Sequence, residues 1–125
     1  MDRRKILIFD DDVNILELCS IVLADYGYDV EVSETSHDII EKVSQTNPDV
    51  ILMDNWIPDI GGIKATQLLK SNPEFNHIPV IYFSANNDIH LLAETAGADA
   101  YLSKPFDLTE LENMVSEVVN NKSKI

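Results

Sequence analysis

The sequence predicts an α/β protein in which a parallel β-sheet is covered by helices on both faces. Three observations lead there. Short apolar runs alternate with helical patterns five times along 125 residues. The runs are apolar at consecutive positions, which suits strands buried on both sides. The intervening stretches repeat apolar residues at helical spacing, as the helices linking parallel strands require. Each crossover is then expected to be right-handed.

The elements follow in order. Ile6-Leu7-Ile8-Phe9 is a compact run of β-formers, followed by Ile15, Leu18, Cys19, Val22 and Leu23 at helical spacing. Val30 and Val32 alternate with polar residues in a weaker second strand. Ile39, Ile40 and Val43 mark a short helix that Asn47-Pro48 should close. Val50-Ile51-Leu52-Met53 is the third strand, and Ala65, Leu68 and Leu69 mark a helix ended by Asn72-Pro73. Val80-Ile81-Tyr82-Phe83 is the fourth strand, and Ile89, Leu92, Ala93 and Ala96 belong to a helix stopping at Gly97. Ala100-Tyr101-Leu102 is a brief fifth strand, and Leu108, Leu111, Val115, Val118 and Val119 form the stripe of the last helix.

Length and composition narrow the class. The 125 residues suit a single domain, with a core over about residues 5–120 and a polar tail at 121–125 that should fray. There is no repeat, low-complexity stretch or internal linker. The 45% hydrophobic and 25% charged content is that of an ordinary globular protein. No apolar run approaches the ~20 residues that span a bilayer. Met1-Asp2-Arg3-Arg4-Lys5 leads into only a short apolar run that ends in aspartates, unlike a signal peptide. The one cysteine, Cys19, lies on a helical stripe and cannot pair internally, which fits a reducing, cytoplasmic setting. His37, His77 and His90 are scattered without metal-ligand spacing. A formal net charge of −13 argues against nucleic acid and anionic membranes as partners. Basic or mixed-charge proteins and divalent cations fit better, although acidity also serves solubility alone.

The polar residues that end the strands carry the chemistry. The first strand ends in Asp10-Asp11-Asp12, the third in Asp54, the fourth in Ser84 and the fifth in Ser103-Lys104-Pro105. In an open α/β sheet the carboxyl ends of parallel strands share one edge, and ligands bind there where strand order reverses. If the order is 2-1-3-4-5, the acidic cluster and Asp54 face each other across that crevice. Carboxylates ~4 Å apart repel by about 4 kcal/mol per pair at an effective dielectric of about 20. A hard divalent cation relieves this, and all-oxygen ligands favour Mg²⁺ or Mn²⁺. Lys104 adds positive charge and Ser84 a hydroxyl donor. Cation, lysine and hydroxyl together suit the peripheral oxygens of a phosphoryl group in transfer, with an in-line carboxylate as nucleophile. Singly, each residue has a structural explanation. Asp12 can cap the following helix, Asp54 can terminate a strand, and Ser84 or Lys104-Pro105 can form turns.

Taken together, the residues resemble the receiver domain of two-component response regulators, of the single-domain chemotaxis-regulator type. The matching stretches are Ile6-Leu7-Ile8-Phe9-Asp10-Asp11-Asp12, Pro48-Asp49-Val50-Ile51-Leu52-Met53-Asp54, Ile57-Pro58, Tyr82-Phe83-Ser84-Ala85 and Lys104-Pro105-Phe106. The resemblance implies a three-layer, doubly wound (βα)5 fold, flavodoxin-like, with a five-stranded parallel sheet in the order 2-1-3-4-5. It implies that Asp54 is the phosphoacceptor and that Mg²⁺ is held by Asp10, Asp11, Asp54 and the backbone carbonyl of Trp56. By the same resemblance, Ser84 and Lys104 bind the phosphoryl group, Lys104 precedes a cis peptide to Pro105, and Tyr101 is the aromatic switch that follows Ser84. The implied donor is a phosphohistidine on a sensor histidine kinase or a histidine phosphotransfer protein. The output is a changed surface of the fourth helix, fifth strand and fifth helix. That surface would engage a downstream protein or an output domain, or pair two copies as a homodimer.

Three positions depart from the commonest pattern. Trp56 is bulky, Gly61 stands where an Asp often precedes Gly62, and Ser84 replaces Thr but keeps the hydroxyl. Trp56 is expected to shield the acyl phosphate from water, with loop packing or a partner contact as the alternatives. Competing functions are a haloacid-dehalogenase-like, Mg²⁺-dependent phosphatase with Asp10 as nucleophile, and a non-phosphorylated pseudo-receiver acting as a binding module. The phosphatase would place its nucleophile after the first strand and need a second acidic pair late in the chain, and only Asp99 is near that place. A flavodoxin-type flavin site is disfavoured because the loop after the first strand is acidic rather than hydroxyl- or glycine-rich.

Overall fold

The computed structural model describes residues 4–123 except residue 86, with side chains as far as residue 120. The charged start at residues 1–3 and the end of the tail at 124 and 125 lie outside the described residues. Strands and helices alternate in the order β1 (Lys5–Phe9), α1 (Val13–Asp25), β2 (Asp29–Ser33), α2 (Ile39–Thr46), β3 (Val50–Asp54), α3 (Gly61–Lys70), β4 (Val80–Ser84), α4 (Ile89–Ala96), β5 (Ala100–Ser103) and α5 (Leu108–Ser123). The sheet is five-stranded with order β2-β1-β3-β4-β5. Every neighbouring pair is parallel. This is the doubly wound arrangement implied by the resemblance.

Alternation along the strands splits the core into two apolar layers. Leu7, Phe9, Ile51, Met53, Val80 and Tyr82 face α2, α3 and α4. Ile6, Ile8, Val50, Leu52, Ile81 and Phe83 face α1 and α5. Consecutive strand residues are buried because each face has its own cover, which is why β3 and β4 read as unbroken apolar runs. Helix ends follow local chemistry. Asp12 caps α1 by accepting from the amides of Asn14 at 2.9 Å and Ile15 at 3.4 Å. Asn47 ends α2 at φ 51° and Gly97 ends α4 at φ 82°, both left-handed.

Helix phase departs from expectation in α1. Leu16, 4% exposed, faces the sheet, whereas Leu18 is 46% exposed. Nearly every residue from Ile15 to Leu23 is apolar, so spacing alone allowed more than one buried face. Leu68 and Leu108, also read as core positions, are exposed. Helix α5 runs to Ser123, beyond the point where a fraying tail was expected. Cys19 is buried on the sheet-facing side of α1, and burial pushes its thiol up to about 11, so it stays protonated at neutral pH.

Leu16→Ala should therefore cost about 2–5 kcal/mol of stability. Leu18→Ala should cost under about 1 kcal/mol. Urea unfolding of the two variants measures the difference, and equal losses would contradict this phase of α1.

Candidate functional site

The carboxyl ends of β1, β3, β4 and β5 meet at one edge of the sheet. Asp10 follows β1, while Asp54 is the last residue of β3. They are 1% and 3% exposed, an uncommon setting for carboxylates without partners. Lys104, just after β5, bridges them, its Nζ lying 2.9 Å from Asp10 Oδ2 and 2.7 Å from Asp54 Oδ1. The ammonium also sits 4.6 Å from the centre of the Phe83 ring, a cation–π contact. The remaining oxygens are held by the backbone: Asp12 N donates to Asp10 Oδ1 at 2.9 Å and Trp56 N to Asp54 Oδ2 at 2.9 Å.

Electrostatics follows from this packing. Burial raises the Asp10 pKa, and the neighbouring Asp54 adds to the rise, while the Asp12 amide and Lys104 pull it back. Burial opposes charge on Lys104, yet its hydrogen bonds to Asp54 and Asp10 outweigh that and raise its pKa. Asp11 points outward and completes the acidic group. One ligand oxygen each from Asp10, Asp11 and Asp54 lies within 4.8 Å of the others. Three carboxylates around one ammonium leave excess negative charge, and the donor set is all oxygen. The residues fit a hard divalent cation.

The sequence-derived residues largely converge. Ser84 is buried at the end of β4, where its carbonyl accepts Lys104 N at 2.9 Å. The Lys104–Pro105 peptide is cis. Tyr101 lies on β5, 41% exposed, its ring edge-to-face with His90 at 5.6 Å. Trp56 is 74% exposed, so it does not pack into the core. Asp12 serves as the α1 cap. Asp99 does not join the site. It lies ahead of β5 at the opposite sheet edge, 2.6 Å from Lys70 Nζ, and its carboxylate accepts Val80 N at 2.8 Å.

Other contributors were not legible as site residues. Ser36, fully buried, donates to Pro58 O at 2.7 Å and accepts Ile60 N at 3.1 Å, pinning the β3–α3 loop from the β2–α2 side. Asp59 and Gly61 in that loop have φ 85° and 82°. Gly62 lets α3 touch β3: a Cβ there would lie 2.3 Å from the Asp54 carbonyl oxygen. Asn55 accepts a hydrogen bond from the Tyr82 hydroxyl. The available signals were the polar Tyr82 inside an apolar strand and the paired glycines, but neither names its partner.

Comparison with known proteins agrees with this geometry. The response regulator receiver domain family matches residues 6–116. The chain belongs to that family. This receiver is 33% identical over 117 residues to the CAI-1 autoinducer sensor kinase/phosphatase CqsS of Vibrio cholerae, covering 91% of this chain and 17% of that protein. It is 32% identical over 111 residues to the DNA-binding response regulator MtrA of Mycobacterium leprae, covering 87% of this chain and 48% of that one. The receiver thus spans less than half the length of either relative. A CheY-like receiver domain protein from Methanospirillum hungatei superposes with a TM-score of 0.89 at 26% identity, covering 98% of each chain. The protein is a response regulator receiver domain of a two-component system.

Gly62→Ala would drive a methyl group into the backbone beside Asp54. It should destabilise the fold by about 1–3 kcal/mol. Chemical denaturation measures this, and an unchanged midpoint would show that α3 does not press on β3 as described.

Proposed function

We propose that Asp54 is the phosphoacceptor of this receiver and that Asp10, Asp11 and the Trp56 carbonyl join it in holding Mg²⁺, with Mn²⁺ as a substitute. The observation that carries this reading is the buried bridge from Lys104 to both Asp10 and Asp54. A buried lysine fixed beside a carboxylate at a strand end is placed to receive the charge of a phosphoryl group on that carboxylate. Mg²⁺, when bound, would neutralise the acidic cluster and offset charge developing on the phosphoryl oxygens.

The chain's own residues supply the rest. A carboxylate oxygen of Asp54 attacks phosphorus in line. The new O–P bond forms as the P–N bond of the donor phosphohistidine breaks, and the electron pair leaves with the imidazole. Lys104 pairs with the transferred group. Ser84, buried at the end of the adjacent strand, supplies a hydroxyl to another phosphoryl oxygen. The added charge biases an equilibrium between two conformations. Tyr101, exposed beside His90, reports that shift on the α4–β5–α5 surface.

In this role the receiver is a cytoplasmic signalling phosphoacceptor that assists its own phosphorylation and dephosphorylation, not an enzyme turning over a substrate. Residues 1–125 act as one receiver unit. Its donor is a sensor histidine kinase or a histidine phosphotransfer protein. Its output is a downstream protein, an attached output domain or a second copy of the chain at α4–β5–α5. The net charge of −13 leaves nucleic-acid contact to such a partner. No described helix is long and apolar enough to cross a membrane. The phosphatase reading lacks support, because Asp99 is committed to Lys70 and Val80 at the far edge of the sheet.

Incubation with Mg²⁺ and acetyl phosphate, followed by peptide mass spectrometry, should place the phosphoryl group on Asp54. Asp54→Asn should abolish it, and label on Asp10 or no label at all would refute the proposal. Trp56, whose amide holds the Asp54 carboxylate and whose side chain is exposed, should slow hydrolysis of the acyl phosphate by restricting water. Dephosphorylation of Trp56→Asn should then be several-fold faster, and an equal or slower rate would remove that role.

A further inference from the structure

We propose that Tyr82 is a positioning residue for the aspartate site, acting through Asn55 on the peptide that joins Asp54 to Trp56. The inference rests on reading Asp10, Asp11 and Asp54 as a divalent-cation site.

The first observation is a polar atom where none is needed for packing. Tyr82 is fully buried within β4, in an apolar layer with Met53, Ile51 and Leu7. A phenylalanine would fill the same space without carrying a hydroxyl out of water, a transfer that is unfavourable unless the group is hydrogen-bonded. The hydroxyl has a specific partner, the side-chain oxygen of Asn55. Burial, together with the nearby Asp54 carboxylate, raises the phenol pKa, so it remains a donor at any ordinary pH.

The second observation is where that partner lies. Asn55 is the residue between the candidate phosphoacceptor and Trp56, and its amide, its carbonyl and its side-chain oxygen are each hydrogen-bonded. Its amide donates to Phe83 O at 3.2 Å, and its carbonyl accepts Gly62 N at 3.2 Å. The Tyr82 bond therefore adds a side-chain tether to two main-chain ones. The next amide, Trp56 N, holds Asp54 Oδ2 at 2.9 Å. Reorienting Asn55 would turn that amide, and with it the Trp56 carbonyl assigned to the cation. Ser36 secures the far end of the same loop at Pro58 and Ile60. The near end is secured through Asn55.

A merely structural role would only satisfy the buried Tyr82 hydroxyl and the half-buried Asn55 oxygen, and its loss would appear as lower stability. A positioning role predicts weaker cation binding, because the oxygens must then be ordered at the moment of binding. Trp56 is the single tryptophan of the chain and provides the signal.

The test is titration of the full chain with Mg²⁺ alone, followed by Trp56 emission and calorimetry. Wild type should bind, and Tyr82→Phe should bind about fivefold more weakly, the scale of one net hydrogen bond. Asn55→Ala should lose a similar factor, and the double variant should lose no more than the worse single one, since both remove the same bond. In phosphorylation by acetyl phosphate, the loss should appear as a higher Mg²⁺ requirement, not as less label on Asp54 at saturating Mg²⁺. Unchanged Mg²⁺ affinity in Tyr82→Phe, or losses that multiply in the double variant, would overturn the inference while leaving the cation site intact. Absence of Mg²⁺ binding in the wild type would overturn the cation reading and this inference with it.

Discussion

The site depends on a charge imbalance held in place by burial. Asp10 and Asp54 are nearly inaccessible, and Lys104 bridges them, with Asp11 completing the acidic group at the rim. One lysine compensates two buried carboxylates incompletely, and a third faces the same space. Burial raises the free energy of every uncompensated charge. The arrangement therefore gains stability from any positive charge brought to the acidic group.

The sheet makes this arrangement rigid. Parallel strands in the order β2-β1-β3-β4-β5 place the ends of β1 and β3 side by side, with β5 close enough for Lys104 to reach across. Two apolar layers of alternating strand residues lock the strands in register. The loop after β3 has no regular structure of its own, yet it is fixed at both ends. Gly62 allows α3 to press on Asp54, Ser36 grips Pro58 and Ile60, and Tyr82 grips Asn55. Strand β3 therefore ends in a loop that is restrained without being helical or extended. Such a site can change its ligands without rebuilding its frame.

Signalling needs the opposite property in part of the molecule. Tyr101 is solvent-accessible and touches His90, so its ring can exchange surroundings at little cost to the core. Ser84, by contrast, is buried at the end of β4. Under the proposed role, a buried hydroxyl on β4 and an exposed ring on the neighbouring β5 would carry charge at Asp54 to a surface that a partner can read.

Sequence by itself determined the fold class, the strands and the polar residues at their ends. Alternating apolar runs and helical stripes are local signals, and a parallel sheet must gather the carboxyl ends of its strands at one edge. Asp10, Asp11, Asp54, Ser84 and Lys104 were legible for that reason. Only the tertiary structure decided which side of α1 faces the sheet, because nearly all of its residues from Ile15 to Leu23 are apolar and packing chooses among them. It alone committed Asp12 to a cap and Asp99 to the opposite edge. It alone joined Ser36 to the β3–α3 loop and Tyr82 to Asn55, a hydrogen bond across 27 positions. Such bonds depend on distance and direction between atoms far apart in the chain, and no local pattern encodes them.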